Sequence, residues 1–118
     1  VMAGGLGGFA QHAVADAAAV RPLPDALAFE EGACWRAGAV TAWHALHDKA
    51  AVVAGETVLI LGASGGVGLA AVQLAKHKGA IVIGTGSTDA KPAAILAAGA
   101  NCALDPADPE LSATIKAL

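Results

Sequence analysis

The sequence predicts an α/β fold built on a parallel sheet, and three observations carry that expectation. Three short β-branched and aliphatic runs, Thr57–Leu61, Ile81–Thr85 and Cys102–Leu104, alternate with stretches of good helix formers. A glycine cluster stands where the first run hands over to a helix. Hydrophobic residues fill 56 % of the 118 positions and charged residues 14 %, which excludes disorder and predicts extensive burial. Much of the apolar content is alanine and aromatics are only 3 %, a composition suited to close packing of helix on sheet. Strands alternating with helices imply right-handed crossovers, and the length suffices for one small domain.

In order, Val1 to Gly8 is glycine-rich and reads as loop. Phe9–Val14 and Ala18–Arg21 read as strands, the second ended by Pro22-Leu23-Pro24. From Asp25 the apolar positions fall at helical spacings, predicting two helices separated near Gly38, the second over Val40–Lys49. Ala50 to Glu56 is a loop closed by Gly55. Thr57–Leu61 is the first parallel strand, apolar as a strand buried on both faces should be. The helix from Val67 ends at Lys76-His77-Lys78-Gly79, with cations at its negative end and a glycine stop. Ile81–Thr85 is the second strand, Gly86 to Asp89 a turn, and Ala90–Ala98 a helix stopped by Gly99. Cys102–Leu104 is a third strand, and a last helix starts near Pro109. This is half of a doubly wound sheet.

The stretch from Val58 to Lys76 carries the chemistry. Gly65 and Gly66 are expected to turn the backbone sharply and bring it up to a ligand with no Cβ in the way. The helix beginning near Val67 then aims free N–H groups and its positive dipole end into the turn, which suits a phosphate. The segment reads as the pyrophosphate loop of a dinucleotide-binding, Rossmann-type β-α-β-α-β half-sheet. Thr57–Ala75 is uncharged and long enough for a membrane span, but glycine and serine in its middle would break the helix and expose backbone to lipid. A Walker loop needs lysine after its last glycine, and Gly68 is followed by Leu69.

Net charge is −3 and the basic residues are scattered, so neither nucleic acid nor an anionic membrane surface is an expected partner. Cys34 and Cys102 form no paired motif and read as two small buried residues. His12, His44, His47 and His77 show no metal-ligand pattern, and His44 with His47 reads as decoration on one helix face. No signal peptide is visible, which fits a cytoplasmic setting. The first residue is Val1 and the last helix has no cap, so a piece of a longer polypeptide is expected.

Several blocks at ordered spacings resemble the medium-chain dehydrogenase/reductase superfamily and its zinc-free quinone oxidoreductase branch. They include Gly8-Phe9-Ala10-Gln11, Pro22-Leu23-Pro24-Asp25, Thr41-Ala42-Trp43-His44-Ala45-Leu46, Gly55-Glu56-Thr57-Val58-Leu59 and Ala63-Ser64-Gly65-Gly66-Val67-Gly68. The resemblance implies the tail of a GroES-like substrate domain over 1–28, connecting helices over 29–52, and the first half of an NADP(H)-binding Rossmann domain over 53–118. It implies hydride transfer between NADP(H) and a small molecule, a quinone or an α,β-unsaturated carbonyl, and a homodimer in the full-length protein.

On the family pattern Ala63 replaces the first fingerprint glycine, Gly65 meets the pyrophosphate and Gly68 lets the helix pack on the strand. The cofactor set implied is Thr41, Ala63, Ser64, Gly65, Gly66, Val67, Gly68, Gly86, Ser87, Thr88 and Lys91. The acidic residue that would hold ribose hydroxyls after the second strand is replaced by Gly86. Ser87, Thr88 and Lys91 beside it could bind a 2′-phosphate, which favours NADP(H) over NAD(H) and predicts that Gly86→Asp shifts preference to NADH. Asp89 and Pro106 count against this, and a solvated helix charge is the plain alternative for Lys91. Thr41 matches a family threonine near the nicotinamide; otherwise it caps a helix N-terminus. Ala37 stands where zinc-dependent relatives carry a catalytic cysteine, so no catalytic zinc is expected and no catalytic residue can be named. Arg36 departs from a common proline, and nothing in the sequence explains it. Two further possibilities stand beside the reductase: an enoyl reductase module of a multidomain synthase, and a nucleotide-binding homologue without turnover.

Overall fold

The structure, a computed structural model, describes residues 7–87 and 90–118. It divides into two compact units, Val1–Arg36 and Ala37–Leu118.

In the first unit, the strands expected over Phe9–Val14 and Ala18–Arg21 do not form; Arg21 makes an isolated bridge only. Asp16 instead caps a 3₁₀ turn, Ala17–Ala19, its carboxylate accepting the Ala18 N–H at 2.9 Å. An aspartate ahead of three alanines favours such a turn over a ladder. The Arg21 guanidinium donates to the Ala18 and Val20 carbonyls at 2.6 and 2.9 Å, closing the segment on itself. Of this unit's described residues only Gly32 is buried, because Leu23 lies against it. Cys34 is therefore exposed, contrary to its expected burial.

Helix α1 covers Phe29–Trp43, with no break at Gly38. Its start is fixed by the Glu31 carboxylate, which accepts the Ala28 N–H at 2.9 Å, and by Glu30 and Glu31 at the positive end of the dipole. It passes into a π-helical turn, His44–Lys49, closed by the Ala50 N–H donating to the Ala45 carbonyl at 2.9 Å.

The second unit continues as β1 (Thr57–Ile60), α2 (Gly66–His77), β2 (Ile81–Thr85), α3 (Ala90–Ala97), β3 (Cys102–Leu104) and α4 (Leu111–Ala117). The sheet is parallel in the order β1-β2-β3, with Thr57 opposite Ile81 and Ile83 opposite Cys102. One core joins Ile60 and Val82 of the sheet to Val72 and Ala75 of α2 and Ile95 of α3. Each fully buried branched side chain there contributes about 1.5–3 kcal/mol. Helices α2 and α3 end at Gly79 and Gly99, both at positive φ (+82° and +109°), as a glycine stop requires. Helix α4 starts shortly after Pro109. The Asp105 and Asp108 carboxylates first accept the Ala107 and Glu110 N–H groups and hold the chain in turns.

Strand β1 departs from the expected burial on both faces. Leu59 remains 41 % exposed, and Leu61, just past the end of β1, 72 % exposed.

Candidate nucleotide-binding site

Parallel sheets present ligands at the carboxyl edge of their strands. Two turns lie there, one after β1 and one after β2. In the first, Gly62 takes φ +60°, and its N–H donates to the Thr85 Oγ1 at 3.1 Å. The Ala63 N–H donates to the Thr85 carbonyl at 2.9 Å, and the Gly65 N–H to the Gly62 carbonyl at 3.0 Å. The sharp left-handed bend thus belongs to Gly62. Gly65, at φ −78°, is ordinary backbone, and Gly66 is the first residue of α2. The sequence placed the bend three or four residues too late.

Helix α2 has no side-chain cap, and its first backbone bond runs from the Leu69 N–H to the Gly65 carbonyl at 2.8 Å. The amides of Gly66, Val67 and Gly68 consequently find no acceptor among the described residues. Gly65, Gly66 and Val67 are exposed. A Cβ built on Gly66 meets nothing within 4 Å, and one on Gly65 meets only the Gly62 carbonyl at an ordinary 3.5 Å. Neither glycine is demanded by its own chain. Together they leave a cradle of free N–H groups at the positive end of a helix, which a Cβ would partly fill and which fits phosphate oxygens.

Gly68 is different. A Cβ there would stand 2.7 Å from the Ala63 Cα, so α2 sits directly on the turn. Ala63 is fully buried and its N–H is taken by Thr85; it shapes the turn and has no amide to offer. Ser64 lies half-buried beside it.

Gly38 lies against the same corner. A Cβ on it would be 2.9 Å from the Gly66 carbonyl oxygen, so α1 passes close over the start of α2. That approach accounts for the glycine, and the helix runs on through it. Thr41 is exposed one turn further on, in the last turn of α1, which overturns its alternative as an N-terminal cap.

At the second turn the Gly86 N–H donates to the Leu104 carbonyl at 3.0 Å. A Cβ on Gly86 would come 2.8 Å from the Ile95 Cδ1 and 2.9 Å from the Lys91 Cβ. An aspartate there must push α3 aside, so Gly86→Asp tests packing before it tests cofactor preference. Lys91 Nζ donates to Ser87 Oγ at 3.3 Å, bringing those two residues together; Thr88 lies outside the described residues.

The π-helical turn gathers a separate polar group. His44 Nδ1 and His47 Nδ1 bond the two Asp48 carboxylate oxygens at 2.8 and 3.0 Å, with all three side chains about half exposed. The His44 bond first, then the His47 bond, hold the Asp48 carboxyl below its ordinary range. Trp43 stacks on His47 with ring centroids 4.6 Å apart. Among the described residues no three His, Cys, Asp or Glu side chains form a group able to hold a metal ion. No described helix is long and apolar enough to cross a membrane.

A concavity of about 460 Å³ lined by Leu46, Val52, Glu56 and Leu59 opens near the amino end of β1, away from both turns. The glycine turn, with its oriented donors, is the better candidate for a charged ligand. Gly62, Thr85 and Gly38 are the residues that sequence reasoning missed. Only Gly62 carried a signal, as the first glycine after the strand.

A three-stranded parallel sheet with a glycine turn leading into α2 defines a Rossmann-type α/β protein. Over most of its length the chain is similar to part of the longer quinone oxidoreductases of the medium-chain dehydrogenase/reductase superfamily. Residues 66–118 match the family model described as zinc-binding dehydrogenase. Human quinone oxidoreductase is 44 % identical over 95 residues, 80 % of this chain and 29 % of that protein. Polyketide synthase GfsB of Streptomyces halstedii is 49 % identical over 81 residues, 69 % of this chain and 2 % of that polypeptide. Among solved structures, the quinone oxidoreductase of Thermus thermophilus, known also as a complex with NADPH, superposes with a TM-score of 0.85. It is 37 % identical, over 94 % of this chain and 37 % of that one. This chain therefore spans under a third of the human relative.

Proposed function

We propose that this chain is the cofactor-binding part of an NADPH-dependent oxidoreductase that works without a catalytic zinc and reduces a quinone or an α,β-unsaturated carbonyl. One observation carries the reading: three amides at the start of α2 that find no acceptor among the described residues, beside two glycines that packing among those residues does not require. The NADPH complexes of the Thermus thermophilus and Escherichia coli quinone oxidoreductases, 37 % and 35 % identical, support it.

In this reading the amides of Gly66, Val67 and Gly68 hold the pyrophosphate, while Gly65 and Gly66 admit it. Ser87 and Lys91 bind the 2′-phosphate, with Thr88 beside them. Thr41 donates a hydrogen bond near the nicotinamide or the substrate oxygen. Bound NADPH supplies the hydride; the protein supplies position and field. Ala37 has no donor atom, so polarisation of the substrate oxygen falls to hydrogen bonds. The boundaries 1–28, 29–52 and 53–118 belong to the same proposal, as do a cytoplasmic setting and a homodimer. Titration of the full-length protein with NADPH and NADH tests it: tighter binding of NADPH is expected, and equal affinity removes the assignment of Ser87 and Lys91.

A second reading has its own support. The 49 % identity to polyketide synthase GfsB, and the likeness to a solved polyketide synthase domain described as an enoyl reductase (36 % identical, TM-score 0.63), support an enoyl reductase module of a multidomain synthase as the alternative. An acyl-carrier-bound enoyl substrate reduced faster than a free quinone would favour it.

A further inference from the structure

We infer that Thr85 is a positioning residue, holding the glycine turn after β1 in the shape that presents the α2 amides. The inference rests on the reading of that turn as a pyrophosphate site. Thr85 is 2 % exposed and is the buried polar side chain of the described core. It closes β2, paired with Leu104 of β3, and grips two successive residues of the turn from far along the sequence. Its Oγ1 accepts the Gly62 N–H at 3.1 Å, where φ is +60°, and its carbonyl accepts the Ala63 N–H at 2.9 Å.

Both flanking residues of Thr85 are glycines that packing demands. A Cβ on Gly84 would lie 2.8 Å from the Ala63 Cβ, and a Cβ on Gly86 2.9 Å from the Lys91 Cβ. The end of β2 therefore touches the glycine turn on one side and the Ser87–Lys91 corner on the other. Thr85 is the polar link in that contact. Without its hydroxyl, the Gly62 N–H at a left-handed residue loses its acceptor, and the bend that leads into Gly65 and Gly66 loosens.

Three variants of the full-length protein test this. Thr85→Val keeps the β-branched shape without the hydroxyl, Thr85→Ala is a smaller residue without it, and Thr85→Ser retains it. The NADPH Kd is expected to rise about tenfold in the first two and to stay within about twofold of wild type in Thr85→Ser. Adenosine 2′-monophosphate, which has no pyrophosphate, is expected to bind all of them alike. Without any ligand, amide exchange at Gly62 and Ala63 is expected to quicken in Thr85→Val and Thr85→Ala while β3 amides stay protected. Unchanged exchange at those two amides overturns the inference, and so does wild-type NADPH affinity in both hydroxyl-free variants. Wild-type protein that binds no NADPH removes the proposed function instead, and the exchange rates then decide alone whether Thr85 holds the turn.

Discussion

The turns after β1 and β2 end neighbouring parallel strands, and both contain glycine, yet their glycines answer to different demands. At Gly66 a Cβ would enter open space, whereas at Gly86 it would run into Ile95 and Lys91. Gly68 belongs with Gly86, pressed against Ala63. A glycine that its own chain does not require, beside free amides, points outward to a ligand. A glycine that packing requires says only that two elements approach closely. The fingerprint spelled by Ala63 to Gly68 mixes both kinds, and spacing alone does not separate them.

The difference can be broken most severely at Gly68. Gly68→Val places its Cβ against backbone that cannot yield, and a loss of about 2 kcal/mol or more is expected in denaturant unfolding. Little change in stability there would show that α2 does not rest on the turn as described.

Gly66→Ala should split the two effects. Alanine at the first position of a helix is expected to leave stability unchanged or raise it by about 0.4–1 kcal/mol, through the unfolded chain. NADPH affinity should fall about tenfold, because the new methyl occupies the cradle. Equal losses of stability and affinity would erase the distinction between the two kinds of glycine.

The smallest effect lies outside both turns, at Asp48. Its carboxyl is held low by His44 and His47, so its contribution is present above the unfolded value and lost as pH falls through the folded one. Carboxyl NMR should show Asp48 titrating below an ordinary aspartate, and moving back up in His44→Ala and His47→Ala. Because the carboxylate is exposed, global stability should barely respond.

The sheet was legible because its signals are local and redundant. Apolar runs gave β2 and β3 at their observed bounds, and Gly79 and Gly99 marked helix ends that positive φ then explains. What escaped depended on contacts between distant residues. Gly38 has the residue type of a helix break, but α1 runs through it and the Gly66 carbonyl leaves no room for a Cβ there; Thr85 has the residue type of any strand position, and its bond to Gly62 spans 23 residues. Phe9–Val14 had strand-like composition but no ladder to join. The exposure of Leu59 could not be foreseen, since an apolar run does not state how many of its faces are covered. For the site, the motif located the turn within a few residues, while the bend at Gly62 depended on backbone conformation that residue type leaves open.

The most direct measurement is the NMR shift of each backbone amide in the full-length protein as NADPH is added. The largest changes are expected at Gly66, Val67 and Gly68, where free N–H groups would meet the pyrophosphate. If those three amides stay still while others saturate with the cofactor, the phosphate lies elsewhere and the account of this turn is wrong.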